Sequence, residues 1–373
     1  MMELIQADTY FDGDRLHRHG PYLLEIADGV CRTIRTGSDP RADRSGRLLL
    51  PTPVEAHAHL FLDGDELNPE RRAAYLRRSR EELLAGARNN VRRYRDAGIT
   101  AIRDAGDIHG INLQLRDEFA GTDIHIVSAG HGLRREGRYG SFLAKPFDPA
   151  AQAPFAAWAS GTDMVKIVLT GIIDFENGEV KGNPQFSEAE TRAIVNAAHA
   201  RGLKTFAHCS GTAGLRIAAT AGVDTIEHGF FMPSEVLELM AEKQIAWTPT
   251  LLPVHVQWAH PEYCGWNPAT VDKLRGILDD HRANLLRAEA LGIPILAGSD
   301  AGSYGVPHAA GLWSELELLR QTGLREETVW RSAISEPRRI FGLPPVRVAV
   351  GEPADWVLMQ DARSGAENVF RLT

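Results

Sequence analysis

The sequence predicts an α/β fold: a (β/α)8 TIM barrel with a small β-sandwich domain built from both chain ends. Three observations carry that prediction. Beyond residue 50, strand-like apolar runs alternate with helix-like segments, and eight runs can be counted. Strands separated by helices pair in parallel, and eight of them suit a closed barrel. Residues 3 to about 50 and 346–373 show strand-like patterning without helical periodicity. Finally, histidine, lysine and aspartate fall at or near the C-terminal ends of the eight runs, where barrel enzymes assemble their sites.

In chain order, residues 1–50 supply the first part of the small domain. Tyr22 to Ile26 is mostly apolar and lies between turn signals at Asp12-Gly13 and Asp28-Gly29. The barrel takes residues 51–344. Its first strand follows Leu48-Leu49-Leu50 and ends in His57-Ala58-His59. Arg71 to Ala97 reads as one long charged helix stopped by Gly98. The later strands are Ile99–Gly106, Ile124–Gly130, Met164–Gly171, Lys204–Cys209, Thr225–Phe230, Ala246–Leu251 and Ile293–Asp300. Between them, Ser187 and Glu190 have the capping-box spacing that opens a helix running to Gly202. Further helices are expected over 211–221, 234–243, 268–291, 309–322 and 326–341. Residues 345–373 complete the small domain, with strands at Val348–Gly351 and Asp355–Met359.

Composition narrows the function classes. A formal net charge of -8 disfavours a general nucleic-acid binder, which ordinarily carries a basic face. No apolar run approaches the ~20 residues that span a bilayer, so no membrane association is expected. Cys31, Cys209 and Cys264 are odd in number and far apart, which suits a reducing compartment and a cytoplasmic location. The opening Met1 to Asp8 has no basic-then-apolar pattern, and no signal peptide is expected there. Exposed apolar residues on the barrel helices could serve a homo-oligomer.

The chemistry-bearing residues recur in separate strand slots. Alternation along a strand puts His57 and His59 on one face. Lys166 lies in the fourth strand; His208 ends the fifth, His228 the sixth and Asp300 the eighth. Four imidazoles, an amine and a carboxylate at one barrel mouth are what a two-metal hydrolytic site needs. Each also has a duller reading: a core histidine, a strand cap, a turn aspartate, a rim salt bridge. Their recurrence, mostly at the same end, favours the site. Specificity belongs to the loops after the strands. The Gly130–Gly140 loop carries His131, Arg134, Arg135, Arg138 and Tyr139, and His308 also looks pocket-facing. His131, Arg134, Tyr139 and His308 are the expected substrate contacts. Guanidinium pairs well with carboxylate, so a small molecule with an anionic end is the expected substrate. The segment His255 to Trp266 is read as a lid.

The pattern resembles the amidohydrolase superfamily, and within it the branch of imidazolonepropionase-like enzymes, metal-dependent prolidases and Xaa-Arg dipeptidases. The resemblance rests on His57-Ala58-His59, Arg103-Asp104-Ala105-Gly106, Val165-Lys166-Ile167, Ala207-His208-Cys209, Gly222 to Gly229, Thr248-Pro249-Thr250 and Gly298-Ser299-Asp300-Ala301. It implies a metal-dependent hydrolase of amide bonds, in a dipeptide, an N-acyl amino acid or a cyclic amide. His57, His59 and Asp300 would hold one divalent ion and His208 and His228 a second, zinc being the first choice. Lys166, carbamylated by CO₂, would bridge them. A metal-bridging hydroxide would attack, with Asp300 as general base and then acid. Two departures stand out. Glu55 replaces the usual aspartate, and Thr170-Gly171-Ile172-Ile173 replaces the dipeptidase Thr-Gly-Gly. The alternatives are a mononuclear deaminase or esterase on the same scaffold, and a non-catalytic barrel.

Overall fold

The computed structural model describes residues 2–149, 155–360 and 369–372. Both chain ends meet in one seven-stranded mixed sheet. Met2–Phe11 pairs antiparallel with Tyr22–Ala27 and parallel with Arg44–Pro51. Trp356–Met359 returns from the far end of the chain, antiparallel to Arg44–Pro51, and Val369–Leu372 lies outside it. Apolar residues on one face of these strands, among them Ile5, Ala7, Leu24, Leu49, Trp356 and Leu358, form a core of their own. The expected β-sandwich is thus, among the described residues, a single sheet. Val348–Gly351, expected as a strand, instead turns the chain: Gly351 has φ 90°, and its N–H donates to the Cys31 carbonyl at 2.9 Å.

Seven parallel strands follow: β1 (Val54–Ala58), β2 (Ala101–Asp104), β3 (His125–Ser128), β4 (Met164–Val168), β5 (Lys204–Cys209), β6 (Thr225–His228) and β7 (Ala246–Thr248). β1–β3 form one ladder and β4–β7 another. Nearly every residue of both is buried, polar ones included, as expected of strands covered on two faces. Between the ladders, Gly132–Arg134 pairs with β4, and the Asp163 N–H donates to the Ser128 carbonyl at 2.9 Å.

Residues 294–301 occupy the expected eighth slot but form no regular strand. They still link β7 to β1. Trp247 N–H donates to the Pro294 carbonyl at 2.9 Å, and Ala56 N–H to the Ala297 carbonyl at 3.0 Å. Asp300 N–H donates to the His57 carbonyl at 2.8 Å. Two causes of the irregularity are visible. Pro294 has no N–H for a ladder. The backbone at Gly298 also runs so close to β1 and β7 that a Cβ there would lie 2.5 Å from Thr248 Cγ2 and 2.8 Å from His57 Cβ.

Two expected helices are each divided. Pro69–Tyr75 and Arg80–Asp96 replace one continuous helix, because Ser79 and Glu82 make a complete capping box that starts the second. Glu326–Ala333 and Ser335–Phe341 replace the last one; Pro337, which can donate no helical hydrogen bond, sits in the first turn of the second. The capping box at Ser187 and Glu190 is present as expected. The segment expected as a lid is helical over Leu252–Ala259 and Pro261–Cys264. No helix among the described residues is long and apolar enough to cross a membrane.

Candidate active site

Six side chains from five strand slots converge. His57 and His59 leave β1 on the same face, and each Nε2 lies 3.6 Å from Asp300 Oδ1. The ligand atoms of these three residues all lie within 4.8 Å of one another. Across the mouth, His208 Nδ1 faces His228 Nε2 at 2.8 Å, and the His57 and His228 ring centroids are 5.3 Å apart. Lys166 rises from β4 among them; its charge acts on all four imidazoles and on Asp300.

The outer nitrogen of each ring is held by a partner. His57 Nδ1 donates to Glu227 Oε2 at 2.6 Å. His59 Nδ1 reaches the Gly106 carbonyl at 3.3 Å, and His208 Nε2 the Gly171 carbonyl at 3.4 Å. His228 Nδ1 lies 2.8 Å from Thr250 Oγ1. Such partners set the tautomer and leave the opposite nitrogen, with its lone pair, for a cation. Asp300 is oriented by the Ser303 hydroxyl, which donates to Oδ2 at 2.8 Å. His228, Thr250 and Asp300 all have positive φ (68°, 46° and 57°), a conformation that non-glycine residues adopt at an energetic cost and that clusters at functional sites.

Burial controls the electrostatics. It lowers all four histidines below their ordinary range, that of His208 to about 3, so each imidazole is a neutral base. It also lowers Lys166 to about 8 and raises Asp300 to about 6, with the Lys166 charge opposing the rise. Lys166 Nζ and His57 Nε2 are buried with no hydrogen-bond partner. Imidazole and carboxylate donors without a thiolate fit zinc and related divalent ions, and the orphaned His57 Nε2 lone pair needs such a partner; Lys166 Nζ would join them only once converted to an anionic form.

Two charged residues to which the sequence reading gave no role support this cluster. Arg103, fully buried on β2, donates from Nε to the Ala56 carbonyl, from Nη1 to Thr225 Oγ1 and from Nη2 to Glu227 Oε2. Glu227 thereby joins β2, β6 and His57. Arg103 sits in an apolar run, where a guanidinium must find a buried anion; that was the available signal. Strict alternation would put Glu227 and His228 on opposite faces, which hides their cooperation; the positive φ of His228 breaks that alternation.

The expected substrate contacts divide. Tyr139 lines the cleft above the cluster, its ring centroid 5.3 Å from that of His208. Arg134 is buried, and donates to the carbonyls of Ala144, Arg135 and Arg138. It braces its own loop and does not line the cleft. His131 binds the Asp107 carbonyl through Nδ1 at 2.8 Å and Lys145 Nζ through Nε2 at 3.0 Å. His308 is buried behind the site, 3.0 Å from the Leu62 carbonyl through Nε2. The cleft itself holds about 460 Å³ and reaches from His59, His208, His228 and Asp300 to Ile172, Phe175 and Trp266.

The amidohydrolase family model matches residues 48–370. The chain belongs to the amidohydrolase family. It is accordingly an enzyme that hydrolyses carbon–nitrogen bonds. An uncharacterized protein of Mycobacterium tuberculosis is 29% identical over 346 residues, spanning 88% of this chain and 86% of that protein. Ochratoxinase of Aspergillus niger is 27% identical, spanning 84% of this chain and 70% of the relative. Among solved structures, a Xaa-Pro dipeptidase with methionine bound in its active site superposes with a TM-score of 0.76 at 21% identity, covering 100% of both chains.

Proposed function

We propose that this amidohydrolase is a binuclear metal enzyme that cleaves the amide bond of a small molecule, with Asp300 moving the proton. Two divalent ions, zinc by preference, would be held by His57, His59 and Asp300 on one side and by His208 and His228 on the other, with Lys166 between. The carrying observation is the set of four imidazoles whose outer nitrogens are engaged while the inner ones face Asp300 and one another. A closed (β/α)8 barrel over 51–344, flanked by a domain from 1–50 and 345–373, is the architecture this reading adopts. The linkage of residues 294–301 to both β1 and β7 supports it.

Bound ions of this kind supply a Lewis acid for the scissile carbonyl and lower the pKa of water. The protein's own residues do the rest. Burial keeps a neutral fraction of Lys166, the form that adds CO₂: the amine bonds to carbon, one proton leaves, and an anionic carbamate with two oxygens results. Asp300, oriented by Ser303, takes a proton from the attacking water and returns it to the departing nitrogen. Tyr139 and the cleft wall hold the substrate over the cluster.

The test is turnover of an amide panel by protein supplied with zinc and bicarbonate. Cleavage abolished by chelator, and lowered about 10²- to 10⁴-fold by Asp300→Asn, is expected. Undiminished cleavage in chelator would overturn the proposal.

A further inference from the structure

Resting on the amide-hydrolase reading, we infer that the substrate carries a large apolar group, aryl or branched alkyl and without a carboxylate, that extends from the scissile bond to the cleft mouth. The wall away from the histidines carries an apolar stretch, beside the polar Asp174, Glu176 and Gln257, that comes from separate parts of the chain. Leu76 ends the Pro69–Tyr75 helix, Ile172 and Phe175 lie on the segment after β4, and Trp266 precedes the Pro268–Ala290 helix. Leu76 and Ile172 are 39% and 42% exposed, two of the few large hydrophobic side chains left open to water among the described residues. Both line this cleft, and Tyr263, another exposed one, stands beside it: its carbonyl accepts from the cleft-lining Tyr304 hydroxyl at 2.8 Å. Exposed apolar side chains gathered at the rim of a catalytic cleft mark a binding surface.

The wall is preformed. Phe175 meets Trp266 edge-on, with ring centroids 6.3 Å apart, and Lys273 Nζ donates to the Glu176 carbonyl, tying the segment to the Pro268–Ala290 helix.

The cations of the cleft are already engaged. Arg72 donates to the carbonyls of Asp63, Glu66 and Gly302 and lies over the Tyr304 ring. Lys181 pairs with Asp174 at 3.7 Å. Neither offers a free anchor for a carboxylate, and the Arg134 guanidinium is occupied in its own loop. The distal group therefore carries no carboxylate.

The experiment measures binding and turnover separately, on the full-length chain with zinc added. Calorimetry compares N-methylacetamide with N-methyl-2-naphthamide and N-(2-naphthyl)acetamide, which extend the acyl and amine sides, and with the 6-carboxylate of each naphthyl compound. Burying roughly 100 Å² of ring predicts binding on the order of 10- to 100-fold tighter for the naphthyl amide that fits. Its 6-carboxylate should bind at least ~10-fold more weakly than the neutral ring, since an unpaired charge resists burial. Ile172→Asp and Leu76→Asp should abolish the gain, and Leu286→Asp, exposed on the Pro268–Ala290 helix, should leave it intact. Equal binding of small and large amides, preference for the carboxylates, or indifference to both cleft variants would overturn the inference. Turnover of N-methylacetamide with no gain from the ring would leave the amide-hydrolase reading in place without this inference. A gain in binding with no amide cleaved would do the opposite.

Discussion

Glu227 is the residue whose replacement should be felt both in the fold and at the proposed metal site. Its carboxylate is fully buried and accepts from His57 Nδ1, Arg103 Nη2 and the Thr225 hydroxyl. Removing one partner of a buried ion pair costs about 3–5 kcal/mol, because the remaining charge is left uncompensated. Glu227→Ala leaves Arg103 in that state, so the unfolding free energy of the metal-free protein should fall by at least that range. Glu227→Gln is milder. Its carbonyl can still accept from His57 and its amide can donate to Thr225, but the negative charge that balances Arg103 and strengthens His57 as a base is gone. Loss of such an outer partner typically weakens metal binding 10- to 100-fold. Denaturant unfolding of the metal-free variants and competition titration of zinc with a chromophoric chelator give the two numbers. A Glu227→Gln protein that binds zinc as tightly as wild type, together with a Glu227→Ala protein within about 1 kcal/mol of wild type, would refute the reasoning.

Three other outcomes are expected. Gly298→Ala drives a methyl group into Thr248 and His57, so it should destabilise the protein by about 1–3 kcal/mol in thermal or denaturant melts. Arg134→Ala removes three donors to loop carbonyls and should lower stability by about 1–3 kcal/mol. Its effect on kcat/KM should be the same for neutral and anionic substrates, the reverse of what an anion-binding arginine would show. Glu315 is buried, accepting from the Leu251 and Leu252 N–H groups at 2.9 and 2.8 Å, and burial raises it from 4.5 to about 8. The folded state thus holds this proton more tightly than the unfolded one. Its contribution is full below pH 4.5 and is lost as pH rises through about 8. The stability difference between wild type and Glu315→Gln, followed by denaturant melts across that range, should shift steadily against wild type.

Much of the fold and of the site's raw material is legible in the sequence, for identifiable reasons. Apolar runs separated by capped helices announce parallel strands, and polar residues at their ends can only meet at one mouth; His57, His59, Lys166, His208, His228 and Asp300 do so. The eighth slot was harder, since Ile293 to Ala297 has strand composition while Pro294 and the crowded Gly298 prevent a ladder. Helix breaks at Ser79 and Pro337 were also visible as a capping box and a proline, but charge periodicity carried across both. Arg134 shows where single-sequence reading stops. A guanidinium in a loop looks free for a ligand, and only the tertiary path of Ala144 and Arg138 shows that carbonyls satisfy it. The pairing of Glu227 with Arg103 is likewise nonlocal, joining residues more than a hundred positions apart.

The central claim is that six convergent side chains hold two metal ions bridged through Lys166. Elemental analysis of protein purified without chelator, in bicarbonate, addresses it most directly when wild type and Lys166→Ala are measured side by side. The account predicts about two divalent ions per chain in wild type, the number of a bridged centre, and loss of the second ion in Lys166→Ala. Wild type with about one ion per chain, unaffected by Lys166→Ala, would contradict the bridged centre; wild type with none would contradict the metal site altogether.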